Sequence, residues 1–290
     1  MKILILGADG MIGHKLAQNL EKDFELTVTS RKKISKKDIG LNSSSTIINI
    51  DLYREDSNKL LDALKPGIVI NCAGITIRRG VEKNLAETNY INSHLPHELD
   101  SWSQRNGKKL IHFSTDCVYD GLKGNYLDHE APNATDIYGK SKAKGEINNS
   151  NSLTIRTSII GREIFNHTEL FEWLYSMRNK EIKGYTNALY SGVTSVWISK
   201  IINKLISDNI NISGILNISS NPISKFDLLT KLSHAFNLNI SIKTNSKFKS
   251  NKVLISKKFT EITGIKTPDW DDLILEFKKD SLGYKNLYKN

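Results

Sequence analysis

The sequence predicts an α/β fold: a doubly wound parallel sheet followed by a smaller C-terminal lobe. Three observations carry that reading. Apolar strand patterns alternate with helical patterns through the first half of the chain. A glycine-spaced turn, Gly7-Ala8-Asp9-Gly10-Met11-Ile12-Gly13, joins the first strand to the first helix. Tyr138 and Lys142 stand four residues apart, on one face of a later helix.

Taken in order, Lys2 to Leu6 reads as a strand and Met11 to Leu20 as a helix with Leu16, Ala17 and Leu20 on one stripe. Glu25 to Ser30 and Thr46 to Ile50 are strands, and Ser57 to Leu64 is helical. Lys65-Pro66-Gly67 breaks the chain before the strand Ile68 to Asn71. Val81 to Arg105 reads as one helix, bent near Pro96. Leu110 to Ser114 and Leu153 to Thr157 are strands flanking a helix from Tyr138 to Asn148. Strands this apolar are covered on both faces, and right-handed crossovers wind the helices onto both sides. After Gly161 the pattern changes to helices at Glu169–Asn179, Val196–Ser207 and Lys225–Phe236, with a short strand at Gly214–Ile218. The expected division is 1–160 for the sheet domain and 161–290 for a smaller mixed α/β lobe that binds substrate.

With 39% apolar residues in 290, the chain buries a substantial core. Cys72 and Cys117 each lie in or beside an apolar run and read as small buried residues of a reducing compartment. Met1-Lys2-Ile3 runs straight into a strand pattern without a signal-peptide layout. No apolar run approaches the ~18 residues of a membrane span. A cytoplasmic protein with no membrane partner is the expectation. The net charge of +10 raises nucleic acid as a partner. The lysines are scattered among acids, however, with Lys32 to Lys37 the densest cluster, and no recognition-helix or aromatic RNA-binding pattern accompanies them. No nucleic acid is expected; a basic surface also suits an anionic small molecule. The histidines show no metal-ligand spacing, so no metal is expected, and His112 on its strand reads as structural.

The glycine turn is a phosphate cradle. Gly7 permits the tight turn, Gly10 lets a pyrophosphate approach the backbone, and Gly13 lets the helix pack on the sheet. The amides of Met11, Ile12 and Gly13 then face the phosphates. An acid at the end of the second strand would hold a ribose 2′-hydroxyl. This chain has Thr29-Ser30-Arg31-Lys32-Lys33 there, so Ser30, Arg31 and Lys32 suit a 2′-phosphate. NADPH is the favoured cofactor, with NADH as the alternative. Asp51 and Leu52 follow the third strand and suit the adenine amino group and ring. Cys72, Ala73 and Gly74 are small and leave room along the strand tips.

A carbonyl being reduced becomes an alkoxide and needs a proton. Tyr138 supplies it from a phenol whose free pKa is about 10, and Lys142 would bring that value toward neutrality. Thr115 can donate a hydrogen bond to the same oxygen. Tyr138 and Lys142 are also expected to touch the cofactor.

At this point the chain resembles the extended short-chain dehydrogenase/reductases, with their Rossmann fold, and within them the dTDP-4-dehydrorhamnose reductase group. The matching pieces are Gly7 to Gly13, Asn71-Cys72-Ala73-Gly74, Ile91-Asn92 with Pro96, Ser114-Thr115-Asp116-Cys117-Val118-Tyr119-Asp120-Gly121, Tyr138 to Lys142 with Gly145-Glu146, and Arg156-Thr157-Ser158. The resemblance implies a Thr115–Tyr138–Lys142 triad that reduces a 4-keto-6-deoxy sugar on a nucleoside diphosphate, in glycan precursor synthesis. It implies a cofactor contact at Asn92 and substrate contacts at Asp116, Val118 and Tyr119. It leaves the homodimer as an expectation. The chain departs from the group in three places. Ile159 follows Thr157-Ser158 where the group carries Trp, Cys117 stands where an aromatic is common, and Gly184 to Gly192 differs. In that last stretch, read as a shaped loop, Tyr185 and Tyr190 offer aromatics and Asn187 and Ser191 polar groups, with Tyr185 and Asn187 as the expected substrate contacts. Two alternatives stay open: a nucleotide-sugar epimerase or dehydratase, and a non-catalytic NADP-binding regulatory subunit.

Overall fold

Strand β1 (Lys2–Leu6) is apolar after Lys2, and its side chains divide between two cores. Ile3 and Ile5 join the larger core with Leu16 and Ala17 of α1 (Met11–Leu20); Leu4 and Leu6 join the smaller core on the opposite face. This is the two-sided burial of a parallel strand. The chain was studied as a computed structural model that describes residues 1–42 and 44–287. The chain continues through β2 (Glu25–Ser30), β3 (Thr46–Asn49), α2 (Ser57–Leu64), β4 (Ile68–Asn71), α3 (Leu85–Asn89), α4 (Leu95–Arg105), β5 (Lys109–Phe113), α5 (Ile137–Lys144) and β6 (Ser152–Arg156). Then come β7 (Ile159–Ile160), α6 (Leu170–Ser176), β8 (Glu181–Tyr190), β9 (Val193–Thr194), α7 (Ser195–Ser207), β10 (Gly214–Asn217), β11 (Ile223–Ser224), α8 (Lys225–Ala235), β12 (Ser241–Asn251), α9 (Lys257–Thr263) and α10 (Trp270–Ser281).

The main sheet has seven strands in the order β10-β6-β5-β4-β1-β2-β3, every pair parallel. The doubly wound class is therefore the fold. The winding reverses between β1 and β4, so the loops after those strands part and open a crevice at the carboxyl edge.

Three features differ from the sequence reading. The stretch from Val81 to Arg105 is not one bent helix: α3 passes through a π-helical turn at Tyr90–His94 into α4. Pro96 has no N–H to give the carbonyl of Asn92, and a Cβ at Gly145 would lie 2.1 Å from that same oxygen. The lobe expected from residue 161 is interleaved with the sheet domain. Strand β10 pairs with β6, Gly214 opposite Leu153, and α7 packs on α1, with Asn19 Nδ2 donating to Ser199 Oγ at 3.2 Å. Gly184 to Gly192 is not a loop up to Tyr190. It forms most of β8, the middle strand of a second sheet ordered β11-β8-β12. Small residues at the inward positions Gly184 and Ala188 hid its alternation.

The start of α1 is tied to the C-terminal segment. His14 is fully buried; its Nδ1–H donates to the Gly10 carbonyl at 2.8 Å and its Nε2 accepts from the Tyr284 hydroxyl at 2.6 Å. Burial pushes its pKa down from 6.5 to about 3, with Lys15 acting in the same direction. Below pH 6.5 the unfolded chain binds a proton here that the folded chain refuses. Stability is therefore intact above 6.5 and is lost as pH falls toward 3. Urea unfolding between pH 4 and pH 7 is expected to show this loss, and His14→Asn to flatten it by up to about 1.4 kcal/mol per pH unit. Parallel curves for the two proteins would remove His14 from the acid limb.

Candidate active site

The glycine turn folds tightly because two of its glycines leave no room for a side chain. Gly7 has φ +80°, and a Cβ there would lie 3.0 Å from the backbone of Ala73. A Cβ on Gly13 would lie 2.2 Å from the Gly7 carbonyl oxygen. Gly10 occupies the N-cap of α1 and no side chain caps the helix. The bare amide end of α1 thus faces the crevice.

From this cradle a groove runs both ways along the strand tips. One arm, about 590 Å³, is lined by Gly7, Asp9, Gly10, Arg31, Asp51, Leu52, Ala73 and Glu87, among others. The other, about 1140 Å³, holds Met11, Ile12, Ser114, Thr115, Asp116, Tyr138, Lys142, Ser158 and Glu169. Gly10, Cys72, Ala73 and Gly74 line both arms, so the groove is continuous. Arg31 reaches across the rim of the first arm to an ion pair with Glu87. Asp51 also accepts the Tyr53 amide at 3.0 Å, the turn at the end of β3.

The second arm carries the reactive groups. Thr115 and Asp116 follow β5, and Asp136 caps α5 through the Gly139 amide at 2.8 Å, which sets Tyr138 at the helix start. Thr115 and Tyr138 line this arm together, and the Thr115 hydroxyl donates to Asp116 Oδ1 at 3.1 Å. Burial pushes the Tyr138 phenol upward, with Cys117 adding to the effect, so the phenol stays protonated. Burial outweighs here the lowering expected of Lys142. Lys142 Nζ is buried, donates to the Phe113 carbonyl at 2.7 Å and lies 3.5 Å from His112 Nε2; burial lowers its own pKa to about 8 against the opposing pull of Glu146. Asp116 is pushed up by burial, with Lys225 and Lys252 pulling the other way.

Behind these groups lies a buried charge network. Glu146 accepts Arg156 at 2.8 and 2.7 Å and the Ser114 hydroxyl at 2.7 Å. Arg156 also donates to the Tyr119 hydroxyl at 2.6 Å.

Several expected contacts fall elsewhere. Ser30 turns its hydroxyl onto the Lys32 carbonyl at 2.8 Å, and Lys32 reaches Asn166 at 2.9 Å; neither lines the groove. Asn92 is fully buried and clamps both backbone groups of Ile75 and the Ser141 hydroxyl, so its amide is fully committed. It shapes the Gly74–Ile75 turn from behind. Val118 and Tyr119 lie in a small core with Tyr126, on which the Tyr119 ring stacks at 3.9 Å. Tyr185 is an exposed β8 residue against Phe248, and Asn187 donates to the Ser246 carbonyl at 3.0 Å; β8 carries both away from the groove. Of that stretch Tyr190 and Gly192 come to the reactive end: a Cβ on Gly192 would lie 2.5 Å from the Ser158 carbonyl oxygen, and Lys225 Nζ lies 3.6 Å over the Tyr190 ring. Glu87, Glu169 and Lys225 were missed: nothing local marks them, and the fold alone brings them in. Cys72 and Cys117 are free thiols, half-buried in the groove wall. Among the described residues no helix is long and apolar enough to cross a membrane.

Comparison with known proteins places this geometry. A dTDP-4-dehydrorhamnose reductase of Aggregatibacter actinomycetemcomitans is 27% identical over 237 residues, 78% of this chain and 76% of the relative. One from Burkholderia thailandensis is 28% identical over 149 residues, 51% of this chain but only 45% of the relative's length. In fold, the chain matches the crystal structure of a dTDP-4-dehydrorhamnose reductase from Bacillus anthracis in complex with NADP. The TM-score is 0.75 at 22% identity, covering 97% of this chain and 99% of the other. The model of the RmlD substrate binding domain matches residues 1–181, and the chain belongs to that family.

Proposed function

We propose that the protein is an NADPH-dependent reductase of a 4-keto-6-deoxy sugar carried on a nucleoside diphosphate. The observation that supports this most is that Thr115, Tyr138 and Lys142 line one arm of a groove whose middle is a glycine cradle. The residues fit a dinucleotide: at Gly7 and Gly13 a Cβ would strike backbone, so the turn closes tightly, and the uncapped α1 presents amides to an anion. Gly7 to Gly13 would hold the pyrophosphate, Asp51 and Leu52 the adenosine, and Cys72 to Gly74 the strand-tip side of the groove. The bound cofactor supplies a hydride to the carbonyl carbon. Thr115 would turn its hydroxyl from Asp116 to the carbonyl oxygen, and Tyr138, kept protonated by burial, gives that oxygen the proton. Lys142 orients the cofactor and carries positive charge under the phenol as the proton leaves. Asp116, Ser158, Arg78 and Glu169 line the same arm and would face the sugar. The relatives named as reductases, and the neighbour solved in complex with NADP, support the same reading.

Tyr138→Phe removes the proton donor and nothing else. Turnover of NADPH with a dTDP-4-keto-6-deoxy sugar is expected to fall by about 10²–10⁴, with NADPH binding nearly unchanged. A near-normal kcat would take Tyr138 out of the chemistry.

Cofactor choice falls to Arg31, since Ser30 and Lys32 are committed elsewhere. A 2′-phosphate would replace Glu87 as its partner. Arg31→Ala is expected to weaken NADPH about tenfold more than NADH, the scale of one charge-assisted hydrogen bond. Glu87→Gln is expected to shift the preference further toward NADPH. Titration of both cofactors by fluorescence decides it: equal losses for the two cofactors in Arg31→Ala would refute the assignment.

A further inference from the structure

Behind Lys142 lies a buried chain of polar groups that the reaction outlined above does not use. Asn71 of β4 and His112 of β5 are cross-strand partners in the sheet. Asn71 Oδ1 accepts the Ala73 amide at 3.1 Å, and Ala73 lines both arms of the groove. That bond fixes the Asn71 amide, so Nδ2 is the atom facing His112 Nδ1 at 3.2 Å. An Nδ1 that accepts leaves the ring proton on Nε2. Nε2 in turn lies 3.5 Å from Lys142 Nζ. All three side chains are buried. Burial, with Lys142 and His97, holds the imidazole well below its usual pKa, so it does not become a second cation.

We propose that His112 is a positioning residue: locked by Asn71 with its Nε2–H toward Lys142, it sets the place and the proton affinity of the lysine amine. The inference rests on the role given to Lys142 above. The geometry gives the sign. An N–H dipole presents its positive end to Nζ, which disfavours the ammonium. The other groups facing Lys142 are Glu146, which favours the charge, Cys72, and Tyr138 one turn back on α5. Glu146 is already bound to Arg156 and Ser114, and the groups that touch the lysine head are the Phe113 carbonyl at 2.7 Å and His112 Nε2 at 3.5 Å.

Two isosteric variants separate the two sides of the ring. His112→Gln keeps an N–H where Nε2 stood and loses the Asn71 contact. His112→Asn keeps the Asn71 contact and presents nothing to Lys142. The titration of Lys142 is followed by NMR in ¹³Cε-lysine protein, its signal identified by loss in Lys142→Met, and each variant's Tm is measured. In His112→Asn the midpoint is expected to rise by about one pH unit and kcat for NADPH oxidation to fall at least about tenfold, the KM for NADPH changing little. His112→Gln is expected to stay near the parent in both. Should His112→Asn not fold, Asn71→Ser, which unlocks the ring, is expected to move the midpoint the same way. Equal behaviour of Gln and Asn, or an unmoved midpoint in a folded Asn variant, would overturn the proposal. A Lys142→Met protein with unchanged kcat would instead overturn the role of Lys142, and the titration would still judge His112.

Discussion

One buried carboxylate, Glu146, holds the reactive end of the groove together. It lies just past the glycine that ends α5 and takes both the guanidinium of Arg156 on β6 and the hydroxyl of Ser114 at the tip of β5. An unpaired charge at that depth costs several kcal/mol, so the pair must stay closed. Its closure fixes the spacing between α5, which carries Tyr138 and Lys142, and the strand tip that carries Thr115. Arg156 then fastens the next layer through Tyr119, whose ring stacks on Tyr126. The buried pair specifies geometry more than it adds stability. It also supplies the largest attraction acting on the Lys142 charge.

The sheet places this assembly opposite the cofactor cradle for a topological reason. All seven strands run parallel, so every carboxyl end lies along one edge. The reversal between β1 and β4 opens that edge where the glycine turn and Cys72-Ala73-Gly74 meet. The C-terminal chain does not hang from this sheet as a separate lobe. It returns as β10 beside β6, and Asn217 on β10 donates to the carbonyl of Tyr126 at 2.9 Å. That return brings α8 and Lys225 toward Asp116, joining the second sheet to the reactive end.

What could be read from the sequence follows the range of the interactions involved. The glycine turn, the strands beside it and the Tyr138–Lys142 spacing depend on neighbours within a few residues, and each is visible locally. Residues whose direction depends on distant partners are not legible in this way. Ser30 and Lys32 sit at the right strand tip, but one closes its own turn and the other is drawn to Asn166, more than a hundred residues away. Asn92 carries the right amide in the right motif, yet a π-helical turn ahead of Pro96 points it at Ile75. Tyr185 and Asn187 have loop-like composition, but β12 recruits them into a strand from about sixty residues downstream, a pairing that no local pattern announces.

The protonation pattern of the reactive end has one common cause. Burial raises Tyr138 and Asp116 and lowers Lys142, Lys225 and His112, so each group is biased toward its neutral form. For Tyr138 the bias keeps a proton in place, as a donor requires. For the lysines it works against charge and leaves both at about 8, close enough to neutrality that a nearby anion decides the balance. Glu146 and Asp116 exert that pull from within the protein. A phosphate-bearing ligand in the groove would add to it, because Coulomb attraction in a low-dielectric site opposes the cost of burial directly. The same burial that makes the phenol a proton donor therefore makes the cationic state of its neighbours depend on what occupies the groove.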